Sequence, residues 1–215
     1  MDEIRTGDEP TVVRKRPRRT QAERSQDTRR RVCAATLDAL ADVGYQQIST
    51  SQIAALAKVS RGALTHQFPT RNDLLVAAFE FLVGQWREGY PFKTDAPLRL
   101  TIDEFIDTAW TVMFSTRRYV ASLELMLAAR LDDELGQRLR KVLSDWILER
   151  DERVIEILGA SPGDKDAELF VQLNLCVLRG VAVHRSFDSD PYFAERIIAQ
   201  WKTIARAHSP LGTDS

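Results

Sequence analysis

Apolar residues recur at three- and four-residue intervals along most of the chain, and strict alternation never persists for the length of a strand. From about Gln21 to Val43, the residues Val32, Ala35, Ala39, Leu40 and Val43 keep helical spacing, and Gly44 supplies a stop. Ser49 and Thr50 can cap a second helix, in which Ile53, Ala54, Leu56 and Ala57 face a core. Lys58 and Val59 turn the chain. Ser60 caps a third helix, with Ala63, Leu64 and Phe68 inward and Arg61, Gly62, Thr65 and His66 outward. Pro69 breaks the pattern, and Thr70 caps a fourth helix that runs to about Gly89 on a stripe of Leu74, Leu75, Ala78, Phe79, Leu82, Val83 and Trp86. After a proline-containing loop from Tyr90 to Pro97, five more helices are expected: about Leu98 to Ser115, Arg117 to Arg130, Asp133 to Leu158, Ala167 to Arg185 and Pro191 to His208.

The pattern therefore predicts an all-α chain without internal repeats. It divides into an N-terminal arm (1–20), a three-helix unit (21–70) and a helical body (71–215), with the fourth helix leaving the unit and entering the body. At 215 residues with 44% hydrophobic content there is ample material for a buried core. Charge sharpens the division. The net charge is only −1, yet Arg14 to Arg71 holds twelve Lys or Arg against four Asp or Glu, so one end suits a polyanion. Met1 to Val13 is polar and acidic with no hydrophobic period, and disorder is expected there. The run RKRPRR from Arg14 to Arg19 is a solvated charge run or a flexible arm that neutralises phosphates, with Arg16, Arg18 and Arg19 as its candidate contacts. The acids at Asp2, Glu3, Asp8 and Glu9 argue against a mitochondrial presequence.

Two cysteines, Cys33 and Cys176, lie far apart and form neither a disulfide framework nor a zinc spacing. No signal peptide is visible, and the apolar run from Leu173 to Val183 is interrupted by Arg179 and too short for a bilayer. The expectation is a cytoplasmic protein with no membrane partner.

The small, polar, basic outer face of the third helix is suited to the major groove. The segment from Thr28 to about Leu75 resembles the DNA-binding domain of the TetR family of bacterial regulators: RRRVCAATLDALADVGYQQIS is similar to that family's first helix and its Gly-aromatic exit, followed by the helix-turn-helix ISTSQIAALAKVSRGALTHQF and the linking PTRNDLL. Lys58 stands where the family usually has a turn glycine, Thr65 where it usually has a phosphate-contacting tyrosine, and Arg71 where it usually has a lysine. The resemblance implies a homodimeric repressor that binds a palindromic double-stranded DNA operator and is released by a small-molecule effector. The DNA contacts expected in the unit are Thr50, Ser51, Ser60, Arg61, Gly62, Ala63, Thr65, His66 and Arg71. Read without the resemblance, the same stretch is also compatible with an ordinary packed helix pair, and the chain with a sequence-tolerant DNA binder.

No catalytic constellation, cofactor motif or metal site is present: there is no phosphate loop, no GxSxG and no HExxH. Asp132, Asp133 and Glu134 sit where they favour the positive end of a helix. Candidates for an effector pocket are Trp86, Trp110, Met113, Phe114, Met126 and Trp146, together with Glu124 and Asn174, polar residues on apolar stripes that need partners if buried. Protein or water partners would satisfy the last two equally well, and the body then serves only to dimerise. The last two helices are each apolar on more than one side: Leu169, Leu173, Cys176 and Gly180 lie on one face of the first and Val171, Leu175, Leu178 and Ala182 on another, while Phe193, Ile197, Trp201 and Ile204 form a stripe on the second with Ile198 and Ala205 beside it. One face needs a partner, so a four-helix dimer contact is expected, with burial of both faces within one chain as the alternative.

Overall fold

The structure is a computed structural model that describes residues 20–94 and 97–211. The acidic segment and the basic arm with Arg16, Arg18 and Arg19 lie outside the described residues. All regular structure among the described residues is helical: α1 (Gln21–Gln47), α2 (Thr50–Leu56), α3 (Arg61–Gln67), α4 (Arg71–Glu88), α5 (Ile102–Ala109), α6 (Arg117–Ala128), α7 (Asp133–Ile157), α8 (Lys165–Arg185) and α9 (Phe193–Ala207). A π-helical turn, Trp110–Phe114, continues α5.

Local chemistry sets most of the boundaries. Thr20, Ser49, Thr70 and Thr101 each build a capping box with Glu23, Gln52, Asp73 and Glu104, so four helix starts are fixed by reciprocal side-chain and backbone bonds. Asp132 accepts from Leu135 N–H at 2.9 Å and opens α7 as a cap, the role its position suggested. Helical geometry in α1 breaks at Gly44, whose φ of 76° carries the chain into one further turn before Ile48. The helix expected from Leu98 starts instead at Ile102 with Thr101 as its cap; residues 98–100 are not helical, and Leu100 N–H reaches Ile157 O at 3.1 Å.

Packing joins the three-helix unit to the body through two long helices. Leu74 to Phe79 of α4 are all buried, the first turns among residues of α1 and the later ones against the body. α6 lies along α1 in the most extensive helix contact of the chain. Across that contact Arg118 Nε meets Asp38 Oδ1 at 3.2 Å, Arg117 pairs with Asp42, and Glu124 accepts from Tyr45 N–H at 2.8 Å. On the other side of α4, Arg138 of α7 reaches Asp73 at 2.9 Å.

α8 is, by length and composition, long enough and apolar enough to cross a bilayer, so its apolar window is longer than the run read from sequence. It is a core helix: Phe170, Val171, Leu175, Leu178 and Val181 are buried against the body, while Leu169, Leu173, Cys176 and Gly180 are exposed on the opposite face. Two other expectations are corrected. Leu56 does not enter the core but is 58% exposed, because it falls beside the face made by Ile53, Ala54 and Ala57. Val43, next to the break at Gly44, is likewise exposed.

Candidate functional site: a helix-turn-helix face and an apolar cavity

The turn between α2 and α3 closes by a Schellman pattern. Val59 N–H donates to Ala54 O at 3.0 Å and Lys58 N–H to Ala55 O at 3.1 Å, which requires a left-handed residue at position 58. Lys58 supplies it with φ 54°, and the half-buried Val59 packs on the core beyond the turn. Ser60 Oγ then accepts from Ala63 N–H at 3.1 Å and starts α3. Ile53, Ala54, Ala57, Leu64 and Phe68 are buried with Leu37, Leu40 and Ile48, which holds α3 against the unit. Arg29 stacks over Phe68 at 4.9 Å, and Gln67 Nε2 donates to Ser25 Oγ at 2.7 Å.

What α3 leaves outside is Ser60, Arg61, Gly62, Thr65 and His66, all exposed, with Ala63 half-buried between them. Thr50 and Ser51 are exposed on the first turn of α2. A backbone can approach Gly62 closely, since a Cβ there would meet nothing within 4 Å. Two expected contacts look different in the structure. Thr65 Oγ1 donates to Arg61 O at 2.9 Å, so its hydroxyl hydrogen is used inside the helix and its lone pairs face outward. Arg71 is exposed, but its guanidinium is also engaged within the chain: Nη2 donates to Tyr45 O at 2.6 Å and the group lies 4.6 Å from the centre of the Tyr45 ring, tying the start of α4 to the exit of α1.

The body contains a small, mainly apolar cavity of about 40 Å³ between α4, the loop at 90–92, α5 with its π turn, α7 and α8. Trp86 and Met113 of the expected pocket residues line it, joined by Gln85, Phe92, Phe105 and Arg150. The π turn places Val112 and Met113 in that wall, with Ser115 N–H reaching back five residues to Trp110 O at 2.8 Å. Behind the wall, Trp86 sits 6.3 Å from both Tyr119 and Trp146, and Phe92 meets Trp146 edge-on at 4.9 Å.

The remaining expected pocket residues are elsewhere. Trp146 and Phe114 support the cavity from behind, the latter edge-on to Tyr119 at 4.7 Å. Trp110 lies under Arg185, and Met126 is half-buried on α6. Glu124 is not at the cavity at all, since its carboxylate holds the Tyr45 amide at the α1–α6 contact. Asn174 is fully buried and satisfied by protein atoms: it donates to Phe170 O at 2.8 Å and accepts from Trp201 Nε1 at 2.9 Å.

Arg150 is the residue missing from the sequence expectation. It is only 4% exposed, with Asp151 Oδ1 at 2.8 Å from Nε and 2.7 Å from Nη2. Its signal was available: Leu139, Trp146, Arg150 and Val154 form one stripe at helical spacing, with a cation in place of an apolar residue. Nearby, burial pushes the Tyr119 phenol up, opposed by Arg179, whose Nε donates to it at 3.1 Å. Burial also raises the Cys33 thiol to about 11, which makes it an inert core residue. Among the described residues, no group of three or more His, Cys, Asp or Glu gathers to hold a metal ion.

Comparison with known proteins agrees with this geometry. Residues 32–78 match the family model described as bacterial regulatory proteins, tetR family. The HTH-type transcriptional regulator CymR of Pseudomonas putida is 32% identical over 197 residues, covering 88% of this chain and 94% of that protein. An uncharacterized HTH-type transcriptional regulator of Mycobacterium bovis is 30% identical over 198 residues, covering 88% and 98%. Among solved structures, a TetR transcription regulator from Haloarcula marismortui superposes with a TM-score of 0.63 at 21% identity, over 85% of this chain and 98% of that one. FadR from Bacillus subtilis, solved in complex with stearoyl-CoA, superposes with a TM-score of 0.60 at 20% identity, over 82% and 95%.

Proposed function

Because the chain belongs to the TetR family of bacterial transcriptional regulators, we propose that it is a cytoplasmic homodimeric repressor whose hold on a palindromic operator is released by a small-molecule effector. Transcription regulation through a DNA-binding helix-turn-helix is the family's activity. In this reading residues 21–70 contact DNA and residues 71–215 sense and dimerise. Arg61 and Gly62 approach base edges, while Thr50, Ser51, Ser60, Ala63, Thr65 and His66 set the approach and meet the backbone. The body's role is gating, not catalysis.

The observation that carries effector release is the double attachment of α4. Its first turn is tied to the three-helix unit by Arg71 and Leu74, and its last turn supplies Gln85 and Trp86 to the cavity. A ligand entering the cavity must displace Trp86 and Phe92, since 40 Å³ holds only a few waters. That displacement tilts α4 and changes the separation of the two α3 helices in a dimer, which must match successive half-sites on DNA. FadR supports the reading in general terms, as a protein of this fold solved with a ligand.

The test starts from genomic fragments selected by the purified protein. Binding of the enriched fragment should exceed that of random DNA of equal length at the same salt, and the fragment placed before a reporter should lower its expression. Equal binding to both would make the protein a sequence-tolerant DNA binder, and raised expression would make it an activator. A reporter that no small molecule restores would leave the body as a dimerisation scaffold.

A further inference from the structure

We propose that the effector cavity takes a small apolar carboxylic acid, its carboxylate held by Arg150 and its body packed among Trp86, Phe92, Phe105 and Met113. The inference rests on the reading of this cavity as the effector site and adds the ligand's chemical class. It begins from a guanidinium that is out of place. Arg150 lies on the inward stripe of α7 at 4% exposure, in a cavity whose other walls are mainly apolar side chains. A buried cation is costly to maintain, and its hydrogen-bonding groups need partners.

Asp151 provides only part of that compensation. It sits side-on, with one oxygen at Nε and Nη2, and among the described residues no protein acceptor takes up Nη1. The end of the fork is therefore left for a second acceptor, and a carboxylate fits it as a charge-assisted partner. The other charge in the vicinity does not supply one. Arg179 adds a further cation nearby, its Nε donating to the Tyr119 phenol, on which Arg150 also acts. Asp151 is also engaged by Gln172, whose Nε2 donates to its other oxygen, Oδ2.

The remaining polar lining points the same way. The side-chain oxygen of Gln85 already accepts from Arg118 Nη1 at 2.9 Å, which leaves its amide N–H groups as the donors on offer at the α4 wall. An apolar body with acceptor oxygens at one end satisfies both Gln85 and Arg150. An amine of the same shape would bring a third cation to this group without an acceptor for it. An amide would satisfy the donors in part but would not neutralise the guanidinium.

The experiment compares three probes on each of two skeletons: 4-methylbenzoate, 4-methylbenzamide and 4-methylbenzylamine, then octanoate, octanamide and octylamine. Binding to the full-length protein is followed by tryptophan fluorescence, since Trp86 and Trp146 adjoin the site, and by calorimetry. On at least one skeleton the acid should bind about tenfold or more tightly than its amide, and the amine should bind least. Arg150→Met should reduce the acid to the level of the amide and leave the amide unchanged, whereas Arg150→Lys should keep a preference for the acid. If Arg150→Met does not fold by circular dichroism, the comparison among probes on the unaltered protein and on Arg150→Lys still decides. Amide or amine binding as tightly as the acid overturns the assignment of ligand class and leaves the effector reading standing. Absence of binding by all six probes overturns the assignment and counts against the effector reading as well.

Discussion

Lys58 holds a left-handed conformation at the centre of the DNA-binding turn, and for an L residue that costs about 1 kcal/mol relative to glycine. Lys58→Gly should therefore raise stability by about 0.5–1 kcal/mol, seen as a later midpoint in urea unfolding, with the fold unchanged. An unaltered midpoint would mean that the long side chain compensates through contacts on the surface. Arg61 presents the opposite situation, since it is exposed and its backbone oxygen alone is engaged, by Thr65. Arg61→Ala should leave unfolding unchanged and weaken operator binding by about 1–3 kcal/mol, with relaxed preference at the bases it reads. Equal loss on every DNA sequence would assign Arg61 to phosphate. Asp73 adds a pH dependence. Hydrogen bonds from Thr70, then Arg138, hold its carboxyl below the ordinary value of 3.8, so the stability it contributes is present above that value and is lost as pH falls through the lower folded one. Asp73→Asn should be less stable than the parent at neutral pH, and the gap between their urea midpoints should close on acidification below about 4. A gap that persists there would show that shape, not charge, caused it.

At the scale of helices, α1 and α6 meet along a contact whose polar centre is Glu124 at the break in α1. Gly44 leaves helical geometry there, freeing the Tyr45 amide, and the Glu124 carboxylate takes it up 2.8 Å away; a Cβ on Gly44 would come within 3.1 Å of that carboxylate. Glu124→Ala should cost about 1 kcal/mol and accelerate hydrogen exchange at the Tyr45 amide, while exchange in the middle of α8 stays slow. Unchanged exchange at Tyr45 would mean that water replaces the carboxylate at no cost. The same residue shows where the sequence stops being informative. Helix existence and starts were legible because caps and apolar spacing are local: Ser49 with Gln52 and Thr70 with Asp73 announce themselves within four residues. A polar residue on an apolar stripe is legible as needing a partner, but not which one. Glu124 found a backbone amide from a helix some eighty residues earlier, and Asn174 found Trp201. Both were candidates for ligand contact on the same reasoning that should have selected Arg150, whose side chain does line the cavity. Only the meeting of α4, α5, α7 and α8 separates these cases.

At the scale of the whole molecule, exposed apolar residues gather along α8 and α9 among the described residues. Along α8, Leu169, Leu173, Cys176, Gly180 and Val183 are exposed at alternating spacings of four and three, the repeat of a helix seam that packs on another helix at a shallow angle, and Phe187 is exposed in the turn just beyond its end. Ile197 and Ile204, seven residues apart on α9, are exposed beside it, while Ile198 and Ala205 face the core. Packing within the chain uses one side of α8 and leaves the other uncovered, whereas on α9 two residues of the expected partner stripe turn inward: Phe193 packs on His184 and Trp201 donates to Asn174, both half-buried. A second copy is the natural occupant, because a two-fold contact makes each seam the complement of itself. Gly180 lies in the middle of the seam, and a Cβ there would meet nothing of its own chain within 4 Å. Gly180→Arg therefore harms the folded monomer little but places a charge where two backbones should approach. Light scattering should report monomers with unchanged helicity, and binding to a palindromic operator should collapse to the weak level of a single half-site, since half-sites about 34 Å apart are read only by two linked recognition helices. Dimers that persist in Gly180→Arg with operator affinity intact would move the interface away from α8.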